Sequence, residues 1–422
     1  MADKRLRHFL HITGFLIVFI CLLFTTETIF FDRSEIPYSW HQVQEGEYID
    51  ILVLGNSHAY MSTDTLLFSS VTGMNVQLFS SSNQNMEETL IHLEQALKYN
   101  PPQYIFLEVN SACLANRESL QRDNRGVILT DMDGITNPIE KFSAITKIFK
   151  WENVPEGMFQ LFRPINMWER WQFDEHSDKE EIFHGYRGIT TGSSYANGNI
   201  DLQEIAERAR NNTTIGAVAP YNEKSLRTFL DLTAEHGITL GLYKAPTLND
   251  NINEPVNAVF DIAKNYDNVA SCINYQKQLD QMNLTVQDFA DQRHLNRTGG
   301  PKFTKWFIQD MSECLGFGVN WENAAGYKSE SITKTDNDQY IYSMTNYDEN
   351  TLYKFQLVKG HERILMQNYS NNNSFVCDVD IRDNADYRVY CSMIPAECAD
   401  EGDTCPKVIM LQFMMPNDIV IE

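Results

Sequence analysis

The sequence is poor in basic residues, with 34 Lys and Arg against 57 Asp and Glu among its 422 residues. The formal net charge is −23, and the sequence pI is near 4.8. This balance argues against nucleic-acid binding, which needs a basic face. An acidic surface suits a protein outside the cytoplasm or one with a cationic partner, although solubility alone is the simpler explanation.

The chain also lacks any Cys-x-x-Cys pair, so a structural zinc site is not expected. Asp131, Asp133 and Asp250 form no metal-ligand pattern with a histidine, and no metal or other cofactor is predicted. Four of the eight cysteines crowd together near the C-terminus. Outside the cytoplasm this cluster predicts two disulfides of undetermined connectivity, whereas free buried thiols would fit a reducing compartment. The four are Cys377, Cys391, Cys398 and Cys405.

A long apolar run lies near the N-terminus, over residues 8–24, with Lys4, Arg5 and Arg7 before it. About 20 apolar residues span a bilayer as a helix, and flanking positive residues stay in the cytoplasm. A cleaved signal peptide is the alternative, but the following TTETIFF offers no small-residue cleavage site. We therefore expect residues 1–34 to hold an uncleaved single-pass anchor, with the rest of the chain outside the cytoplasm.

Strand-like and helix-like segments alternate through most of residues 35–320, a pattern typical of an α/β fold with a parallel sheet. Residues 112–220 lack this rhythm, and we interpret them either as an insertion over the strand ends that acts as a lid or as a helical subdomain packed only against the core. Short strands between Asn- and Asp-rich turns predict a small β-rich domain over 321–422. The buried strands of the α/β part are expected at 50–57, 75–80, 104–110, 238–246 and 268–275, with helices at 86–98, 222–237, 253–266 and 301–315.

A serine follows the first of these strands. In IDILVLGNSH the apolar run breaks at Gly55 and Asn56 and presents Ser57 on the turn that follows. Its hydroxyl would then lie at the carboxyl end of the sheet, where ligands bind in open α/β folds. The Ser57 N–H would face the same cleft and help to form an oxyanion hole. The ordinary alternative for this serine is a helix cap.

A base and an acid for that serine occur together in DQRH, at 291–294. The spacing lets Asp291 hold the imidazole of His294 while His294 reaches Ser57, which is the arrangement of a catalytic triad. A surface pair of no catalytic importance is the alternative. The combination of both segments predicts a serine hydrolase or an acyl transferase.

The segments GNSH at 55–58 and DQRHLN at 291–296 resemble the first and last blocks of the SGNH/GDSL hydrolase superfamily. Residues 80–110 and 225–246 lie between them in the expected order, so the resemblance covers about 48–315. It is closest to the membrane-anchored bacterial subgroup that includes alginate O-acetylation proteins and the D-alanine transfer protein of teichoic acid modification. The resemblance implies a flavodoxin-like, three-layer α/β domain in which Ser57 is the nucleophile, His294 the general base and Asp291 the orienting acid.

The oxyanion-hole blocks depart from the family pattern. The second block usually supplies a glycine N–H, but residues 81–85 contain no glycine, and the third usually holds an asparagine in a Gly-x-Asn-Asp run, whereas this chain reads LEVNSAC. We expect Asn83 or Gln84 to contribute a donor, with Asn110 as the second choice.

Three further residues have weaker roles in this interpretation. We expect His58, which follows the nucleophile, to point away from the cleft and to lie in the core or behind the reacting groups. His184 and Lys244 could line the cleft, where Lys244 could meet a substrate anion, although snorkelling from a strand end explains that lysine more simply.

The expected function is that of a membrane-anchored, extracytoplasmic serine esterase or O-acyltransferase. It would act on acyl esters of cell-envelope or exopolysaccharide glycans through an acyl-serine intermediate. The expected partners are the glycan or acyl-ester substrate, the membrane and a membrane acyl-transfer protein, with no nucleic acid. The alternative is a non-catalytic glycan- or partner-binding envelope protein on the same scaffold. The incomplete oxyanion set favours this alternative, and the intact Ser, Asp and His set opposes it.

Overall fold

The computed structural model describes most of the N-terminal three quarters of the chain and parts of the remainder. His184, Asp250, Cys398 and Cys405 lie outside the described residues, so the expectations that concern them stay predictions. The described residues are 2–29, 39–40, 43–46, 48–114, 125–163, 200–249, 255–296, 299–321, 330–334, 339–344, 350–359, 362–377, 387–396, 399–400, 402 and 409–413.

The N-terminal apolar run forms one helix, α1 (Ala2–Ile29). Its segment Lys4–Leu23 is long and apolar enough to cross a membrane, and most of its side chains are exposed. A membrane anchor and a signal sequence share these properties.

A five-stranded parallel sheet forms the centre of the α/β region, with the strand order β2-β1-β3-β4-β5. The expected α/β fold with a parallel sheet is therefore confirmed. This order is that of flavodoxin-like doubly wound folds, in which the chain reverses direction across the sheet between β1 and β3. The strands are β1 (Ile51–Gly55), β2 (Val76–Ser80), β3 (Tyr104–Glu108), β4 (Thr239–Lys244) and β5 (Val269–Asn274).

Helices cover both faces of this sheet, which explains why its strands are apolar at successive positions. Leu52 and Leu54 of β1 pack into one apolar core, and Ile51 and Val53 pack into another on the opposite face. The described helices after α1 are α2 (Ser57–Ser62), α3 (Thr65–Thr72), α4 (Met86–Tyr99), α5 (Asn110–Cys113), α6 (Arg125–Asp133), α7 (Pro138–Ile148), α8 (Val154–Met158), α9 (Leu202–Asn211), α10 (Pro220–Glu235), α11 (Val256–Ala263) and α12 (Gly299–Leu315).

Local sequence signals account for the ends of several helices. Asn85 caps α4, because its side-chain oxygen accepts hydrogen bonds from the backbone N–H groups of Glu87 and Glu88. The Glu88 carboxylate accepts a hydrogen bond from the Asn85 N–H, which completes a capping box. Gly237, which follows α10, has a φ of +66°, a conformation that glycine adopts without strain.

The segment between β3 and β4 adds helices to the core. Ile128 of α6 and Ile145 of α7 belong to the same apolar core as Leu54 and Leu107 of the sheet. The described part of 112–220 therefore packs against the α/β core, in line with the helical-subdomain interpretation. Residues 164–199 lie outside the described ranges, so a lid at that position is neither supported nor opposed.

The described C-terminal segments form two antiparallel sheets, with the strand orders β10-β7-β6 and β12-β11-β8-β9. Side chains from both sheets share one apolar core, in which Cys377 and Cys391 are buried. No disulfide joins two described cysteines. The pairing of the cysteine cluster stays a prediction, because its other two members are not described. The strands are β6 (Glu330–Lys334), β7 (Tyr340–Met344), β8 (Thr351–Lys359), β9 (Glu362–Ser370), β10 (Ser374–Cys377), β11 (Tyr387–Pro395) and β12 (Ile409–Phe413).

Candidate active site

The turn after β1 depends on a glycine. Gly55 has a φ of +153°, and a Cβ atom at this position would lie 2.8 Å from the Cβ of Glu108 and 3.0 Å from that of Ala59. The first distance is shorter than real Cβ contacts and the second is tight, so the ends of β1 and β3 can approach this closely because residue 55 is glycine. As a result, Asn56 and Ser57, which follow Gly55, lie next to the end of β3.

Asn56 and Ser57 have different structural roles at this turn. The Asn56 side chain caps α2 by accepting a hydrogen bond from the His58 N–H at 3.1 Å. Ser57 is the first residue of the helix and does not serve as its cap, so its hydroxyl is not engaged in capping. The helix pattern also leaves the Ser57 N–H without an intrahelical partner.

A short loop between β5 and α12 carries the base. The Ala290 N–H donates to the carbonyl of His294 at 2.9 Å, and Phe289 and Leu295 form an antiparallel bridge beside it. Inside this loop the Asp291 carboxylate accepts the backbone N–H groups of Arg293 and His294, at 2.7 and 2.9 Å. Asp291 therefore stabilises the turn that carries the imidazole.

The structure brings Ser57, His294 and Asp291 into one chain of hydrogen bonds. The His294 Nε2 lies 2.8 Å from the Ser57 Oγ, and its Nδ1 lies 2.8 and 3.0 Å from the two carboxylate oxygens of Asp291. A carboxylate only accepts hydrogen bonds, so Nδ1 carries the hydrogen and Nε2 is the acceptor for the serine hydroxyl. This geometry is that of a nucleophile, a base and an orienting acid.

The surroundings keep the Asp291 carboxylate ionised and the His294 ring in contact with solvent. Burial raises the pKa of Asp291, but hydrogen bonds from His294 and from the Arg293 N–H outweigh burial and hold that pKa below its ordinary value. The side chain of His294 is 22% exposed and that of Asp291 49%, whereas Ser57 is 9% exposed. A small molecule can therefore approach the serine from the side of the histidine.

Asn83 and Gln84 were the first choices from sequence for an oxyanion donor. The hydrogen bonds of Gln84 argue against its use as that donor. The Gln84 side chain is fully buried, accepts a hydrogen bond from the Ser81 N–H at 2.8 Å and donates to Thr89 Oγ at 2.9 Å. It stabilises the loop after β2. Asn83 is exposed and has a φ of +52°, so it adopts a left-handed conformation that glycine favours.

Asn110, the second choice from sequence, has the better-defined environment. Its side-chain oxygen accepts a hydrogen bond from the Asn56 amide at 2.8 Å, and its backbone N–H donates to Glu108 at 2.9 Å. The Asn110 side-chain NH2 is left as a donor at the end of β3, next to the strand that leads to Ser57. Asn56, which sequence reasoning treated only as a turn residue, orients this amide.

Lys244 does not snorkel as the simpler expectation for it had it, whereas His58 occupies the second of the two places expected for it, behind the reacting groups. Lys244 is only 4% exposed, so it does not snorkel to solvent, and its Nζ lies 3.2 Å from His58 Nδ1 and 3.8 Å from Glu108. The His58 ring lies 5.3 Å from the His294 ring, between centroids, and is therefore beside the base and not in the apolar core. Burial lowers the pKa of His58 well below its ordinary value, and the nearby charges of Lys244, His294 and Arg293 add to this effect.

These features define an α/β domain with a Ser–His–Asp arrangement at the carboxyl edge of its parallel sheet. Comparison with models of protein families finds no match to the chain, and no curated protein matches it either. Within the described residues no group of three or more His, Cys, Asp and Glu is arranged to hold a metal ion. The functional assignment therefore depends on the chemistry of the site.

Proposed function

We propose that the chain is a serine esterase or O-acyltransferase of the SGNH type that acts on acyl esters through an acyl-serine intermediate. The observation that carries this proposal is the continuous hydrogen-bonded chain from Ser57 through His294 to Asp291. Its position adds support, because ligands of open α/β folds bind outside the carboxyl ends of the strands where the strand order reverses. Ser57 follows β1 and Asn110 follows β3, the two strands that flank this reversal.

The proposed reaction follows from the direction of the hydrogen bonds. Ser57 Oγ attacks the carbonyl carbon of an ester while His294 Nε2 takes the serine proton, and Asp291 stabilises the imidazolium that forms. The carbonyl oxygen becomes an oxyanion, for which the Ser57 N–H and the Asn110 side-chain NH2 are the proposed donors. Collapse of this intermediate breaks the bond to the leaving alcohol, which receives the proton from His294.

The second half of the reaction decides between an esterase and a transferase. His294 deprotonates water or a sugar hydroxyl, whose oxygen attacks the acyl-serine and releases free acid or a new ester. The resemblance of residues 55–58 and 291–296 to the membrane-anchored subgroup supports a cell-envelope or exopolysaccharide glycan as the substrate. The apolar helix α1, with Lys4, Arg5 and Arg7 at its start, supports an anchored, extracytoplasmic enzyme. The same resemblance supports a membrane acyl-transfer protein as its partner.

Covalent labelling of the full-length protein by a fluorophosphonate tests the proposal directly, because such probes react with an activated serine. We expect one equivalent to attach at Ser57, located by mass spectrometry of the labelled peptide. Ser57→Ala removes the oxygen that the probe bonds to, so labelling should be abolished. His294→Ala keeps that oxygen but removes its base, so the labelling rate should fall by about 10⁴- to 10⁶-fold.

Matched controls separate loss of chemistry from loss of structure. His236 is exposed and hydrogen-bonds only within its own helix end, so His236→Ala should label at the wild-type rate. Absence of labelling in the wild-type protein would contradict the proposal and favour the glycan- or partner-binding alternative.

If the protein labels, hydrolysis of p-nitrophenyl acetate with and without an oligosaccharide acceptor distinguishes the two activities. An esterase releases acetate, whereas a transferase forms an acetylated sugar.

A further inference from the structure

A closed ring of polar contacts, made by the side chains and backbone N–H groups of buried residues, lies at the base of the turn that carries Ser57. The amide of Asn56 donates to Asn110, and the Asn110 N–H donates to Glu108. Glu108 faces Lys244 at 3.8 Å, and Lys244 contacts the ring of His58. The backbone N–H of His58 donates a hydrogen bond to the side-chain oxygen of Asn56, which closes the ring. All five residues are less than one-tenth exposed.

The contact with Lys244 sets the position of the hydrogen on His58. A lysine ammonium has three donors and no acceptor, so the His58 Nδ1, which lies 3.2 Å from Lys244 Nζ, must be the acceptor. A neutral imidazole that accepts at Nδ1 carries its hydrogen on Nε2. Burial and the charges of Lys244, His294 and Arg293 all keep the pKa of His58 low, so the ring stays neutral.

The hydrogen on Nε2 is directed at no other group of the described chain. Nε2 of His58 makes no hydrogen bond there, and it is not among the enclosed polar atoms that lack a partner, so it retains contact with solvent. The His58 ring lies beside that of His294, at the residue next to the nucleophile. An N–H donor is therefore available at the edge of the reacting groups.

We propose that Lys244 fixes His58 as a neutral imidazole with its hydrogen on Nε2, and that this N–H donates a hydrogen bond to an oxygen of the acyl substrate bound at Ser57. Lys244 is a positioning residue in this scheme, and Glu108 balances its buried charge. The proposed contact between His58 and the substrate rests on the proposed acyl chemistry. The proposed tautomer of His58 does not depend on that chemistry, and it can be measured without any substrate.

The tautomer is testable by NMR of the full-length protein in detergent, with ¹⁵N-labelled histidine. The chain has ten histidines, and the signals of His58 are identified by their loss in His58→Gln. We expect an unprotonated Nδ1 and a protonated Nε2 whose shifts stay constant between about pH 5 and pH 8, the range over which an ordinary histidine titrates. A protonated Nδ1, or a ring that titrates in this range, would overturn the proposal.

Substitution of Lys244 tests whether this lysine determines the tautomer of His58. Lys244→Arg retains a donor and should keep the hydrogen on Nε2, whereas Lys244→Met should give a mixture of both tautomers. Because Lys244→Met removes a cation from beside the buried Glu108 carboxylate, Lys244→Met/Glu108→Gln provides a second variant without that negative charge. Lys147→Met is the matched control, since this lysine pairs with Glu94 in a partly exposed position. An unchanged tautomer in both Met variants would refute the role of Lys244.

The substrate contact has its own measurement. His58→Leu should lower kcat/KM for p-nitrophenyl acetate by about tenfold, the effect of removing one hydrogen bond, and His58→Gln should recover part of this loss. Wild-type kcat/KM in His58→Leu would refute the substrate contact. If the NMR result holds while the wild-type protein fails to label with fluorophosphonate, the proposed function fails and the Lys244–His58 arrangement stands. If the protein labels but His58 carries its hydrogen on Nδ1, the proposed function stands and the Lys244–His58 arrangement fails.

Discussion

The α/β domain contains two clusters of serine, histidine and aspartate that differ in every respect that matters for catalysis. The cleft cluster is Ser57, His294 and Asp291. The buried cluster is Ser81, His92 and Asp131, which lies between the loop after β2, α4 and α6. Only the cleft cluster combines access to solvent with the order of hydrogen bonds that a nucleophile requires.

In the buried cluster the aspartate is the central member. His92 Nε2 lies 2.9 Å from Asp131, Ser81 Oγ donates to the same carboxylate at 3.3 Å, and Trp40 Nε1 donates to its other oxygen at 3.3 Å. The ring of His92 stacks on Phe79 with the centroids 3.8 Å apart, and His92 and Asp131 have no exposed surface. The serine and the histidine are both within hydrogen-bond distance of one carboxylate, and no hydrogen bond joins them to one another. Ser81 Oγ is equally close to Gln84 Oε1, at 3.3 Å.

The difference shows that residue types alone do not make a triad. In the cleft cluster the histidine lies in the middle, so it can take a proton from the serine while the aspartate stabilises the resulting charge. In the buried cluster the serine has no base, and no substrate can reach it. The buried cluster instead joins α4, α6 and the loop after β2 through a shared carboxylate, which is a structural function.

The largest effect that separates the two clusters is expected from Asp291→Asn. An asparagine in this position cannot favour the required tautomer of His294 or stabilise its charged form, so the rate of fluorophosphonate labelling should fall by about 10³- to 10⁴-fold. The side chain of Asp291 is half exposed, and the unfolding midpoint should change little. A variant that labels normally would place Asp291 outside the reaction.

Asp131→Asn should show the opposite behaviour. The asparagine presents an NH2 group where the carboxylate accepted hydrogen bonds from Ser81 and His92, leaving buried donors unsatisfied. The expected loss is about 3 kcal/mol of the free energy of unfolding, measured in urea. The folded fraction should still label within a few-fold of the wild-type rate. Abolished labelling with an unchanged unfolding midpoint would give the buried cluster a catalytic role and break the comparison.

Asn110→Ala tests the oxyanion donor that belongs to the cleft cluster. Removal of one such donor lowers the acylation rate by about 10²- to 10³-fold in enzymes of this chemistry. Gln84→Ala is the informative comparison, because the Gln84 amide is engaged with Ser81 and Thr89 and its loss should weaken the loop more than the chemistry. A greater loss of acylation in Gln84→Ala than in Asn110→Ala would reverse the assignment of the donor.

The cleft cluster was accessible to sequence reasoning because each member lies in a short, recognisable segment. Gly55 ends an apolar strand that Ser57 follows closely, and Asp291 and His294 are three residues apart, so local spacing was sufficient to predict that these side chains come together. The five parallel strands were predictable for the same reason, since buried strands have continuous apolar runs.

The buried cluster and the Lys244–Glu108 pair were not accessible, because they depend on contacts between elements that are distant in the chain. Asp131 was considered only as a metal ligand, whereas its role is a contact with His92, which precedes it by 39 residues on a different helix. Lys244 was judged as a strand-end residue, and its burial follows from the glutamate at the end of the neighbouring strand. The polar residues Glu88, His92 and Gln95 on the buried face of α4 were the available signal of a polar cluster beneath that helix.

The smallest expected effect is a change of stability with pH. It arises at Glu88, whose carboxyl group interacts with Asp131 of the buried cluster. Burial raises the pKa of Glu88 well above its ordinary value, and the charge of Asp131 adds to this effect, although a hydrogen bond from the Asn85 N–H opposes it. As the pH rises above about 4.5, the unfolded chain loses the proton while the folded protein retains it, so the stability of the wild type falls until the pH passes the raised pKa.

Glu88→Gln removes this penalty and keeps the capping box, because glutamine can accept the same hydrogen bond from Asn85. The variant should therefore gain stability relative to the wild type as the pH rises from about 4 to about 8, and match it most closely at the acid end. Urea midpoints across this range measure the difference, with the exposed Glu235→Gln as a control that should show no such trend. A constant difference at all pH values would mean that Glu88 is ionised in the folded protein, despite its burial and the nearby charge of Asp131.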